Sequence, residues 1–202
     1  MTRIDTPDGR FYEKDGHQLV SVTTVLGRYF DIKPETEEER LRWAELAERG
    51  SRIHALIAKP PQTKAEYDAL PDCDQYGLLA AQRFVYDYGL KTEADELQLA
   101  SVKLGYAGTL DRAGRIPKGR VIVDWKTGRL RERYVRLQLG AYYGLYIATY
   151  PRRLVYGAMG VQLDVTNGTH AVASMSAVEL ARWFNEFMEI KEELCTGSSS
   201  PF

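Results

Sequence analysis

Cysteine is scarce in this chain: Cys73 and Cys195 are the only two in 202 residues, and they stand far apart. A pair so placed makes neither a disulfide framework nor a four-cysteine metal site, so the chain by itself cannot hold an iron–sulfur cluster. Histidine is nearly as rare, with three residues, His17, His54 and His170. No apolar run approaches the ~20 residues that cross a bilayer, and no basic segment followed by an apolar one opens the chain. The expectation is a soluble, cytoplasmic protein with no membrane partner. An excess of one charge is missing too: 27 Lys and Arg stand against 28 Asp and Glu, and a net charge of −1 argues against indiscriminate binding to nucleic acid. No low-complexity tract interrupts the chain. With 44% hydrophobic content it is long enough for one substantial core. Residues 1–202 therefore read as a single domain, with a mostly helical part at 1–90, a core at 91–195 that carries the chemistry, and a frayed tail at 196–202.

What is present is concentrated between Glu96 and Tyr142. At its centre, Arg120-Val-Ile-Val-Asp-Trp-Lys126 is a β-favouring run that ends in a carboxylate and an amine. Strand side chains alternate, so Asp124 and Lys126 share one face while Trp125 covers apolar surface on the other. Upstream, Gly105-Tyr-Ala-Gly-Thr-Leu-Asp111 reads as a second strand, and the connection from Arg112 to Gly119, with glycine and proline, brings the two back side by side. Asp111 and Asp124 then meet. Two carboxylates hold a hard divalent cation through oxygen, and a lysine beside them orients water or steadies the negative charge that develops in phosphodiester hydrolysis. Between Arg112 and Arg136, nine Lys and Arg face two acids, a local basic stripe that suits a phosphate backbone or a solvated surface.

Asp111 followed by Asp124-Trp-Lys126 resembles the PD-(D/E)XK nuclease superfamily. Glu96, Gly108-Thr-Leu-Asp111, Asp124-Trp-Lys-Thr-Gly128 and Gln138-Leu-Gly-Ala-Tyr142 resemble its RecB-type exonuclease branch, with one departure, the lack of a proline before Asp111. The resemblance implies an α/β fold with a central mixed sheet flanked by helices, restriction-endonuclease-like, and metal-dependent hydrolysis of DNA in recombination, repair or end-processing. It implies Mg²⁺ or Mn²⁺ held by His54, Asp111, Asp124 and the Trp125 main-chain carbonyl, with Glu96 in support. Lys126 would act on water and transition state, and Gln138 and Tyr142, four apart on one helical face, would hold Lys126 or a phosphate. Arg112, Arg129, Arg131, Arg133 and Arg136 would meet DNA, and a single-strand-annealing or single-strand-binding protein would be a partner. Two other functions fit the same residues: a structure- or site-specific endonuclease, and a DNA-binding module that does not cut.

His54 carries two readings. By spacing alone, flanked by Ile53 and Ile57, it is a hydrogen-bonded core residue; by the resemblance, Gly50 and His54 match a G-x-x-x-H helix whose imidazole joins the metal. Around these residues the expected elements are a hairpin turning at Asp15-Gly16, a short helix capped by Ser21 in Ser21-Val-Thr-Thr-Val-Leu26, and a helix from the Thr36 to Glu39 capping box past Ile57. Further helices are expected after Thr63, from about Cys73 to Tyr88, from Tyr134 to about Tyr150, and after Ser176. Strands are expected at Lys91 to Val102, Arg153 to Leu163 and Thr169 to Ser174, the last two joined by a turn at Thr166-Asn167-Gly168.

Overall fold

A computed structural model describes residues 1–197. One mixed sheet contains all eight strands: β1 (Thr2–Thr6), β2 (Gly9–Lys14), β3 (His17–Ser21), β4 (Lys91–Ser101), β5 (Tyr106–Ile116), β6 (Gly119–Lys126), β7 (Gly157–Leu163) and β8 (His170–Ser176). Among the described residues six helices flank it: α1 (Val22–Tyr29), α2 (Glu37–Ala58), α3 (Lys64–Asp68), α4 (Asp72–Tyr88), α5 (Glu132–Thr149) and α6 (Ala177–Gly197). This is the α/β class expected from the sequence.

The caps follow from local chemistry. Ser21 Oγ accepts the Thr24 N–H at 3.0 Å to start α1, Thr36 accepts from Glu39 to start α2, and Ser176 and Glu179 bond reciprocally ahead of α6. Gly89 closes α4 at φ 57°, a left-handed cap that glycine adopts without a Cβ penalty. Period-two alternation in β6 then feeds two cores. Ile122 joins the layer under α1, α5 and α6, with Val25, Leu137, Leu145 and Phe187. Val121, Val123 and Trp125 join the layer under α2 and α4, with Ile53, Ile57, Leu78 and Phe84.

Four boundaries differ from the sequence reading. The chain opens with β1, whose exposed, polar Thr-Arg-Ile-Asp-Thr pattern gives little strand signal, and β1 to β3 join the main sheet. β5 runs on to Ile116, so its hairpin with β6 turns on Pro117 and Lys118 alone, because Ala113, Gly114 and Arg115 pair with Ile122, Val121 and Arg120. β7 begins at Gly157 rather than Arg153, whose N–H instead closes a turn on Tyr150. The expected tail at 196–202 is helical through Gly197, and its remainder lies outside the described residues.

The feature that positions the site is a parting of strands. β4 occupies one edge of β5 along nearly its whole length. The other edge is shared: β3 pairs in parallel with Tyr106 and Ala107, and β6 pairs antiparallel from Arg112 onward. Gly108 to Asp111 lie between, where β3 and β6 diverge. Face alternation also slips here, for Leu110 and Ala113, three apart, both belong to the core under α5. Opposite Asp111 on β4 is Glu96, with a left-handed φ of 47°. A kink in both strands thus marks one row of the sheet.

Glu93, at an irregular point of β4, ties three strands by accepting from Arg115 Nε at 2.7 Å and Arg120 Nε at 2.8 Å. Those guanidinium groups, Arg120 foremost, hold its carboxyl down at about 2, from 4.5. Stability from a depressed carboxyl is full above the unfolded value and lost as pH falls through the folded one. Glu93→Gln is therefore expected to lower the unfolding free energy at neutral pH by about 1 kcal/mol, a modest value because the pair is partly solvated. The gap to the unaltered protein should close between about pH 4.5 and about pH 2, as urea midpoints across that range will report.

Candidate active site

The strand register sets three carboxylates in one row. Asp95 pairs with Arg112 and Leu97 with Leu110, which puts Glu96 across from Asp111; Arg112 pairs with Val123, which puts Asp124 on the other side of Asp111. Asp111 Oδ2 accepts the Trp125 N–H at 2.7 Å, so the side chain stands in for a ladder carbonyl where the strands separate. From α2, His54 Nδ1 comes to 3.4 Å from Asp111 Oδ1. Single ligand atoms of His54, Glu96 and Asp111 all lie within 4.8 Å of one another. Asp124 is drawn aside, with Oδ2 2.5 Å from Lys126 Nζ.

The expected ligand set is thus rearranged: Glu96 stands in the converging group, and Asp124 belongs to an ion pair beside it. Glu93 and Asp95, the neighbouring acids, are bound elsewhere, to Arg115 and Arg120 and to Arg112 respectively.

Charge is out of balance in this cluster. Burial pushes the Asp124 carboxyl up, Lys126 pulls it back, and the nearby Asp111 adds to the rise. Glu96 is raised by burial and then by Asp111. Burial would also raise Asp111, but the His54 contact, the Lys126 charge and the Trp125 N–H outweigh it and hold the group low. Burial opposes protonation of His54 and Lys126, yet the aspartates prevail and raise both. Both are thus favoured in their protonated forms, and an ammonium beside the carboxylates suits the stabilisation of negative charge.

Gln138 and Tyr142, both buried on α5, complete the wall, but they bond each other rather than Lys126: Gln138 Nε2 donates to Tyr142 Oη at 3.4 Å. Gly108 makes room for that phenol, since a Cβ there would meet Tyr142 Cε1 at 2.7 Å. Tyr134, in the first turn of α5, is raised by burial, with Lys126 opposing and Asp124 adding to the rise, and sequence reasoning passed over it. Arg3, Arg10, Thr23 and Thr109 also line the cleft unforeseen; the two arginines sit on β1 and β2, where no motif pointed.

The basic stripe is dispersed by the fold. Arg112 is not available to DNA. It follows Asp111 on a strand and so turns to the other face, where it is buried, 2.5 Å from Asp95 Oδ1, and lies over the Trp125 ring. Its other end donates to the Ile57 carbonyl at 3.1 Å, in the last turn of α2, where helix carbonyls lack intrahelical partners. Arg112 thus anchors the helix that carries His54. Arg133 pairs with Glu186, and Arg136 with Glu132 while resting over Trp183. Arg129 lines the adjoining groove, and Arg131 is exposed ahead of α5.

All eight expected catalytic and metal residues, His54, Glu96, Asp111, Asp124, Trp125, Lys126, Gln138 and Tyr142, line one cleft of about 640 Å³ at the parting of the strands. α2 enters it from one core layer and α5 from the other. The donor set fits a divalent cation: one imidazole nitrogen and two carboxylates converge, and the buried Gln138 Oε1 has no hydrogen-bond donor among the described residues. Cys73 and Cys195 are both free thiols, and no helix among the described residues is long and apolar enough to cross a membrane.

No family model matches the chain, and no curated protein matches it. Among solved structures, SSO0001 is 16% identical, with 94% of this chain and 79% of that one covered at a TM-score of 0.47. The LHK-Exo complex with dAMP is 11% identical, covering 89% of this chain and 95% of that one at a TM-score of 0.34. The alkaline exonuclease LHK-Exo from Laribacter hongkongensis is 12% identical, covering 85% and 91% at a TM-score of 0.31. With identities and scores this low, the case for the site rests on its own geometry.

His54 offers the sharpest test of the converging set. Saturating Mn²⁺, at about 100 times its dissociation constant, stabilises a binding protein by about 2.7 kcal/mol. His54→Gln is expected to keep its metal-free melting temperature and to need several-fold more Mn²⁺ for the same rise, because imidazole favours Mn²⁺ more than an amide does. A lowered melting temperature with an unchanged metal titration would assign the residue to packing.

Proposed function

We propose that this chain is a Mg²⁺- or Mn²⁺-dependent nuclease that hydrolyses phosphodiester bonds in DNA, working from strand ends in recombination, repair or end-processing. The observation that carries the reading is the convergence of His54, Glu96 and Asp111 within 4.8 Å, beside the Asp124–Lys126 ion pair. Carboxylates and imidazole at this spacing suit a cation, and an ammonium beside them suits the charge that grows on a phosphoryl group. The resemblance to RecB-type exonucleases implies roles for these same residues, with Asp124 among the ligands and Glu96 in support.

When bound, the cation supplies Lewis-acid polarisation of the phosphate and an acidified water. His54, Asp111 and Glu96 would hold it, with Asp124 and the Trp125 carbonyl completing the set. The Lys126 ammonium, beside Asp124, would meet the non-bridging oxygens. Gln138 and Tyr142 shape the wall and offer polar groups to the phosphate. Arg129 and Arg131 would meet the strand outside. A single-strand-annealing or single-strand-binding protein is the partner such end-processing calls for.

One observation favours a second reading, an endonuclease. The cleft shares Arg10 and Thr23 with a groove on one side and Thr127 and Gly128 with a groove on the other, which leaves a strand a path through the site. Linear and covalently closed circular DNA, single- and double-stranded, incubated with Mg²⁺ or Mn²⁺, separate the two. Degradation of linear forms with circles intact supports end-dependent cutting, and rapid linearisation of circles supports the endonuclease. No cleavage of any form rejects both. Lys126→Ala is expected to reduce turnover by at least about 100-fold, the cost of losing one electrostatic stabiliser, while the Mn²⁺ thermal shift survives. Undiminished turnover would remove the assignment.

A further inference from the structure

We propose that Arg3 and Arg10, spread by Asp5, form a clamp for internal phosphates of the nucleic-acid strand where it passes the mouth of the catalytic cleft. The proposal rests on the nuclease reading above.

The arginines of the basic stripe are mostly bound to acids, which leaves the cleft short of groups for a phosphate backbone. Arg3 and Arg10 fill that lack. Both line the cleft, on β1 and β2, and their side chains are 42% and 35% exposed. Asp5 takes only the Nε of each: Arg3 Nε donates to Oδ2 at 2.8 Å and Arg10 Nε to Oδ1 at 2.9 Å. Among the described residues the terminal N–H groups of both guanidinium forks have no acceptor, and the fork geometry matches phosphate oxygens. A surface triad of this kind contributes little to stability.

The hairpin is held with unusual care. The Arg10 N–H donates to Thr24 Oγ1 at 2.8 Å, and that hydroxyl donates back to the Arg10 carbonyl at 3.0 Å. Ser21 Oγ lies 2.9 Å from Thr24 Oγ1 and accepts the Thr24 N–H at 3.0 Å. The adjacent Gly9 has φ 133°, and a Cβ there would sit 2.5 Å from Thr24 Cγ2. The Ser21-Val-Thr-Thr motif thus fixes the strand that presents Arg10. Tyr12, opposite Arg3 in the hairpin, is tied to Thr109 next to the site by a 2.9 Å bond between hydroxyls. Internal rather than terminal phosphates are indicated because the wall does not end at the clamp: Arg10 and Thr23 also line the groove beyond.

The test is the salt dependence of binding, which counts phosphate contacts. Fluorescence anisotropy with Ca²⁺ in place of Mg²⁺ would follow two probes, a labelled single-stranded oligonucleotide with hydroxyl ends and a labelled single-stranded circle. Each contact contributes about 0.7 to the slope of log affinity against log salt on single strands. Arg3→Gln with Arg10→Gln is expected to reduce the slope by about 1.4 on both probes, Arg3→Lys with Arg10→Lys to restore it, and Arg182→Gln, an exposed α6 charge outside the cleft, to leave it unchanged. The single substitutions, each expected to remove half, serve if the double variant does not fold. An unchanged slope in folded variants overturns the clamp alone. A loss seen on the linear oligonucleotide but not on the circle overturns the internal-phosphate assignment. Failure of the unaltered protein to bind either probe overturns the nuclease reading and the clamp with it.

Discussion

A backbone N–H that leaves its ladder must find another acceptor, and the Trp125 N–H finds the Asp111 carboxylate at 2.7 Å. The edge of β5 has two partners, β3 at its start and β6 further on, and the residues between them face an opening. Asp111 closes the hydrogen-bond account at that opening with a side chain that can also serve a ligand. The cleft, the approach of His54 from one core layer and the placement of Gln138 and Tyr142 from the other all follow from the same parting of strands.

Electrostatics then defines what the opening can hold. Glu96, Asp111 and Asp124 are set in a row, with Lys126 beside Asp124 and His54 beside Asp111. Burial is the main reason why Asp124 and Glu96 are pushed up, and the like charge of Asp111 adds to it. A divalent cation relieves that repulsion. Arg112 serves the same end at a distance: buried against Asp95 and Trp125, it secures the last turn of α2 and with it the reach of His54.

The two readings of His54 show how spacing and context divide the work. Its neighbours Ile53 and Ile57 are indeed core, packed against Trp125 and Phe84. The helical period turns His54 away from them, to the cleft. Periodicity alone distinguishes buried from exposed faces of a helix, but not an exposed face from one that borders a site.

The sequence by itself determined the local structure: the turn at Asp15-Gly16, the caps at Ser21, Thr36, Thr63 and Ser176, the left-handed end at Gly89, and the alternation that separates Asp124 and Lys126 from Trp125. These depend on residues within a turn or a strand of one another. It also named the eight catalytic and metal residues that the cleft gathers, but not Arg3, Arg10, Thr23 and Thr109 beside them. Only the tertiary structure decided which of them converge. Glu96 entered the group through the register of β4 on β5, Asp124 left it for Lys126, and the basic stripe was broken up by acids from β4, α5 and α6. Charge pairing across a sheet depends on register and on which face each residue takes, and those are fixed by contacts between segments far apart in the chain.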